Sequence, residues 1–225
     1  MSAAPTVVED LLLVLFDPRN GSIHGEGTLY YPLAGAVLSE LAVDGAVELS
    51  EARSAYNATV TAVGVPPEDA LLRDMWERVD AKPQKVYALL TAVGPRLRTP
   101  VLDRLVERGD IVRTRGTRWK VFPSTKLSDG GTGRRDALIE QLHAVLVNGI
   151  EPPPRTAMLA ALLSASGQLH ALHRDIPWSG EVRARGKALE KGDWGAAGVS
   201  QAVSAAASAV AIMVAATAAG ASAGS

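Results

Sequence analysis

Cysteine is absent from the 225-residue chain. That absence excludes disulfides, zinc ribbons, iron–sulfur ligation and thiol nucleophiles together, and it fits a reducing cytosol. Net charge is nearly absent too: 23 Lys and Arg stand against 24 Asp and Glu, for a formal −1. The molecule as a whole therefore has no attraction to nucleic acid or anionic lipid, and any such binding has to come from a local patch. Met1–Asp10 lacks a basic n-region, and the apolar run Leu11–Phe16 is far shorter than a signal peptide or a spanning helix, so no targeting segment is expected. Ala196–Ala219 has no charge and roughly the length of a membrane span by the rule of about 20 residues. Its residues are mostly Ala, Ser, Gly and Thr, which gain little from lipid and pack closely in protein, so a buried C-terminal helix is predicted.

Recognisable catalytic motifs are missing as well. Gly131-Thr132-Gly133 lacks a preceding buried strand and the remaining glycines of a dinucleotide fingerprint, and no Walker-type Gly-Lys-Ser/Thr occurs. His170 and His173, with Asp175 beyond, form a conceivable metal edge, but no third ligand has matching spacing, and a helix-end role is preferred. The chain is read as non-enzymatic, with no metal and no cofactor.

What is present is a globular composition, 47% hydrophobic and 21% charged, which supports a buried core. The pattern predicts one mainly α domain over 1–225 with short β-hairpins. Asp10–Phe16 leads into the turn Asp17-Pro18-Arg19-Asn20-Gly21, with a short strand around Ser22–His24. Leu33, Val37, Leu38 and Leu41 recur at helical spacing, Gly35 and Ala36 are thin enough for close packing, and Asp44-Gly45 stops the helix. Strands follow at Ala46–Leu49 and Ala58–Val65, then a helix near Ala70 after Pro66-Pro67-Glu68-Asp69. Gln84–Val93 and Thr99–Arg108 read as helices. Ile111–Thr114 and Arg118–Phe122 read as a hairpin turning at Arg115-Gly116-Thr117. Further helices are expected at Arg134–Val147, Arg155–Ser166, Glu181–Lys191 and Val199–Thr217.

The strongest charge anomaly is Arg96–Lys120, where eight basic side chains stand against three acidic ones, a local excess of five. Guanidinium groups grip phosphate oxygens bidentately, and Arg96 and Arg98 precede a helix whose first N–H groups also favour an anion. The alternative for any one arginine is a solvated face paired with Asp103 and Glu107 at helical spacings. A helix followed by a basic hairpin also resembles the end of a winged helix, which makes nucleic-acid binding the second reading. It ranks lower because Thr99–Arg108 carries Asp103 and Glu107 and lacks Asn, Gln or Ser to read base edges.

Leu11-Leu12-Leu13, the run from Leu33-Ala34-Gly35 to Val43-Asp44-Gly45, Arg104-Leu105-Val106-Glu107-Arg108-Gly109-Asp110-Ile111 with its hairpin, Arg155–Ser166 and Val182-Arg183-Ala184-Arg185 carry a resemblance over nearly the whole chain. It resembles the Golgi phosphoprotein 3 family and its bacterial relatives. The resemblance implies a mainly helical domain that, in eukaryotic members, binds phosphatidylinositol 4-phosphate and helps retain glycosyltransferases by their cytosolic tails. In that pattern the lipid pocket uses a tryptophan, which falls near Gly25 here, and an arginine, which falls on Ala34. Two later arginines complete it; Arg98 fits one position, and Arg96 stands beside the other, Pro95. The family's hairpin implies self-association and membrane contact, here through Arg113, Arg115, Arg118 and Trp119. The expectation is a cytoplasmic protein peripheral to the cytosolic membrane face. It would bind an anionic phospholipid head group and engage protein tails, and it would form homo-oligomers through the hairpin.

Overall fold

The computed structural model describes residues 4–50, 52, 57–118, 122–192 and 197–222, and shows a mainly helical architecture. Its centre is α1 (Val7–Leu15), buried along its whole length. Thr6 opens this helix: its N–H and its hydroxyl both donate to Glu9 Oε2, at 2.7 and 2.8 Å, which fixes the first turn by satisfying an otherwise free N–H. The chain leaves α1 through a two-residue hairpin, β1 (Phe16–Asp17) with β2 (Ser22–Ile23).

Helix α2 (Tyr30–Val43) lies in the core with Leu33, Ala34, Ala36, Val37, Leu38 and Leu41 fully buried. Gly45, at φ +70°, ends it, and Ala46 N–H returns to Leu41 C=O, as a left-handed C-terminal glycine allows. A three-stranded antiparallel sheet follows, β3 (Val47–Leu49), β4 (Thr59–Ala62) and β5 (Gln84–Lys85), with β4 in the centre. Helix α3 (Ala70–Ala81) starts at Asp69, whose carboxylate accepts the N–H groups of Leu71 and Leu72. Gln84 and Lys85, expected to be helical, instead pair with Val60 and Thr59 on β4. Pro83 keeps the residue before it extended, and the sheet edge supplies partners for the backbone that follows.

Helix α4 (Val86–Val93) runs through a 3₁₀ turn, Gly94–Arg96, into α5 (Arg98–Glu107). The hairpin of β6 (Ile111–Arg118) and β7 (Phe122–Asp129) is longer than the sequence reading placed it. Gly116 is not in the turn but pairs with Ser124, and Arg118 belongs to the first strand, opposite Phe122. A turn at 115–117 would leave the backbone of Ser124–Asp129 unpaired, whereas the eight-pair ladder satisfies it. Helices α6 (Arg134–Leu146), α7 (Pro154–Ala165), α8 (Gly180–Glu190) and α9 (Ala197–Ser222) complete the described fold, with a 3₁₀ turn at Leu169–Leu172.

The small-residue C-terminal helix is a core element. In α9, Val203, Ala206, Ala207, Ala209 and Val210 are buried, and the helix packs on α2, α7 and α4. A Cβ on Gly35 of α2 would lie 2.8 Å from Val210 Cγ2, so the absent side chain sets how closely these helices approach. Among the described residues no helix is long and apolar enough to cross a membrane.

Candidate functional site

Five arginines of the basic run divide between two places. One is a cleft with a volume of about 390 Å³, formed where the β1–β2 turn, the first turn of α5 and one face of the β6–β7 hairpin meet. Strand alternation puts Arg113 and Arg115 of β6 on the same face as their cross-strand partners Leu127 and Thr125 of β7, and all four line the cleft. Arg98, Thr99 and Leu102 line it from α5. Gly21 closes the third side at φ +74°. A Cβ there would stand 2.3 Å from Leu127 C=O, so the turn can rest on β7 only because residue 21 has no side chain.

Two of the three guanidinium groups carry exposed partners. Arg98 Nε donates to Glu26, with the side chains 41% and 50% exposed. Arg113 Nη1 lies 2.7 Å from Asp103 Oδ1. Arg115 is exposed and has no hydrogen-bond or ion-pair partner among the described residues. Solvated pairs of this kind contribute little to stability and exchange readily. An incoming phosphate can therefore take over Arg98 and Arg113 at small cost and meet Arg115 uncompensated. The hydroxyl-bearing Thr99 and Thr125 add donors beside the guanidinium groups.

Of the residues singled out in sequence, the fold brings Arg98, Arg113 and Arg115 to one cleft, although they had been assigned to a head-group site and a separate hairpin surface. Arg96 is exposed on the 3₁₀ turn, outside that lining, and unpaired among the described residues. Arg118 holds the last pairing position of β6; its side chain and the whole of Trp119 lie outside the described residues. The expected supply of free helix-start N–H groups is reduced. Leu97 N–H is already donated to Gly94 C=O, because the 3₁₀ turn feeds directly into α5, and Pro100 has no N–H. Ala34 is buried in the core, and a Cβ at Gly25 would sit 2.6 Å from the Gln168 side chain. The positions where the family pattern has an arginine and a tryptophan therefore have no room for either without repacking.

The second destination is an ion-pair network at the start of α1. Arg104 forks onto Asp69 at 2.6 and 3.2 Å, and Arg108 Nε donates to the buried Glu9 at 2.8 Å. Asp10 accepts from Arg134 at 2.5 Å and from Arg155 at 2.7 Å, while Arg134 also reaches Asp110. Burial pushes Asp69 up, but the hydrogen bonds from Arg104 and Leu71 outweigh it and hold the carboxyl below its ordinary value. Glu40 behaves oppositely: burial raises it to about 7, and the Val7 N–H and Arg155 offset only part of that. A cavity of about 620 Å³ borders this network, but its arginines are already matched by carboxylates. Among the described residues, Asp103 pairs across elements with Arg113 of β6 and not with an arginine at helical spacing.

His170 and His173 lie at the 3₁₀ turn, and Asp175 is engaged by Arg135 and Arg19. Among the described residues no group of three His, Asp or Glu is arranged to hold a metal ion. The glycine at position 21 and the threonines at 99 and 125 were missed in sequence. The only signal was the Asp17-Pro18-Arg19-Asn20-Gly21 turn, read for its shape and not for what it abuts.

The family model for Golgi phosphoprotein 3 (GPP34) matches residues 7–206. No curated protein matches the chain.

Proposed function

Because the chain belongs to the Golgi phosphoprotein 3 family, we propose that it is a non-enzymatic peripheral adaptor. It holds an anionic phospholipid head group, phosphatidylinositol 4-phosphate by family descent, in the cleft of Arg98, Arg113 and Arg115. One observation carries the reading: three guanidinium groups from two separate elements converge on a single cleft, and one of them has no acidic partner among the described residues. Charge-assisted hydrogen bonds of about 1.5–3 kcal/mol each are enough for selective retention on an anionic surface. Arg96 lies beside the cleft in sequence and adds long-range attraction. The β6–β7 hairpin is assigned the membrane contact and self-association expected of Arg118 and Trp119, and the adaptor's second partner is a protein tail.

The test is liposome co-sedimentation at two salt concentrations with phosphatidylcholine vesicles carrying no addition, phosphatidylserine, cardiolipin or phosphatidylinositol 4-phosphate. The native chain is compared with Arg98→Ala/Arg115→Ala. The expected result is salt-sensitive binding to anionic vesicles that the double variant loses by about tenfold or more. Its unfolding free energy should stay within about 0.5 kcal/mol of the native value, since both side chains are on the surface. Equal sedimentation of the two proteins with every anionic vesicle would overturn the assignment of the cleft.

A further inference from the structure

Trp178 is 41% exposed. It stands immediately before Ser179, the N-cap of α8, whose hydroxyl accepts Val182 N–H at 3.2 Å. An apolar residue at that position ordinarily packs against the fourth residue of the helix. Here the fourth residue is Arg183, which is exposed, so the usual intramolecular role of the indole is unfilled. Among the described residues its ring neighbour is His170, edge-on at 5.5 Å and 86°, and His173 follows at 5.7 Å from His170. Both imidazoles are exposed.

The basic residues nearest the indole in the chain have charge to offer an anionic surface. Arg174 and Arg183 flank Trp178 in sequence, are exposed, and have no ion-pair partner among the described residues. Of the neighbouring acids, Asp175 is turned onto Arg135 and Arg19, which leaves Glu181, loosely paired with Arg185 at 3.6 Å. Two chains of contacts link the neighbours of Trp178 to the cleft. Arg19 of the β1–β2 turn reaches Asp175, and Gly21 of the same turn lines the cleft. Gly25 abuts Gln168, and the adjacent Glu26 pairs with Arg98.

We propose that Trp178, with His170 against its edge and the exposed Arg174 and Arg183 within five positions along the chain, is an interfacial anchor. It seats in the head-group layer of an anionic bilayer next to the cleft. An indole suits that layer because its body is apolar and its N–H remains wet, and adjacent guanidinium groups add attraction to anionic lipid. The inference rests on the peripheral-membrane reading, and the experiment separates the two.

The experiment uses the full chain with Trp119→Phe and Trp194→Phe, which leaves Trp76, 6% exposed, and Trp178 as fluorophores. Emission is recorded on phosphatidylcholine/phosphatidylserine vesicles with brominated acyl chains, with vesicle partition measured in parallel. The expected result is quenching that a further Trp178→Phe removes, and partition about tenfold weaker in Trp178→Ala. Binding without quenching, or quenching that survives Trp178→Phe, overturns the anchor and leaves the cleft standing. Quenched binding unaffected by Arg98→Ala/Arg115→Ala supports the anchor and overturns the cleft. No binding of the native chain, with Trp119 and Trp194 in place, to any vesicle overturns both.

Discussion

The cleft between α5 and the hairpin and the network at the start of α1 draw arginines from one stretch of sequence and use them in opposite ways. Arg104 and Arg108 turn inward onto Asp69 and the buried Glu9, in company with Arg134, Arg155 and Asp10. Arg98, Arg113 and Arg115 stay in reach of solvent, held by exposed acids or by none. What separates the two sets is how much water the acidic partner has given up: Asp69, Glu9 and Asp10 are largely buried, whereas Glu26 and Asp103 are exposed. A charge that has lost its water is committed to its partner, whereas a solvated one stays available to a ligand.

The contrast is broken most severely by Asp10→Asn. Asp10 is 3% exposed and meets two guanidinium groups. Neutralising it leaves the largely buried Arg134 with Asp110 alone and the more exposed Arg155 with the more distant Glu40, at a cost of about 3 kcal/mol. Denaturant or thermal unfolding should register that loss, with a midpoint lower by roughly 10 °C. A change as small as that of a surface substitution would mean the network is solvated after all.

Glu40 sharpens the comparison through pH. Its carboxyl titrates near 7 in the folded protein, above the ordinary 4.5. Between those values the native state therefore holds a proton that the unfolded chain has released. Stability contributed by this group falls as pH rises from about 4.5 to about 7, and then levels off. Glu40→Gln keeps an acceptor for Val7 N–H and removes the titration. It should flatten that part of the pH–stability curve and raise stability above pH 7 by an amount on the order of 1–3 kcal/mol. An unaltered curve would place Glu40 in a wetter setting than its 13% side-chain exposure indicates.

The smallest expected effect lies in the cleft. Glu26→Gln removes the acid that competes for Arg98 and should strengthen binding to anionic vesicles by a few fold, with unfolding unchanged within about 0.5 kcal/mol. Weaker binding would show that Glu26 positions Arg98 for its ligand and does not compete with it.

Sequence made the helices legible where local rules govern them. The spacing of Leu33, Val37, Leu38 and Leu41 and the stop at Asp44-Gly45 match α2, and Asp69 caps α3 as its type suggests. The strand at Gln84–Lys85 was hidden because its partners, Thr59 and Val60, lie across an intervening helix. The hairpin turn was misplaced because a central glycine reads as a turn even where the ladder passes through it. At the site, residue type was enough to single out Arg98, Arg113 and Arg115. Their grouping was not legible, and neither was the commitment of Arg104 and Arg108 elsewhere, because Asp69 and Glu9 are 35 and 99 positions away.

The closeness of α2 and α9 at Gly35 and Val210 also has a consequence in time. Everything from Asp44 to Ala196 is synthesised after α2 and before the helix that covers it. The α2 face shared with α9 therefore stays open throughout that interval, however early its own helical turn forms. A contact so distant in sequence slows closure of the core and prolongs exposure of an apolar surface. The α2 face is covered only once α9 has left the ribosome.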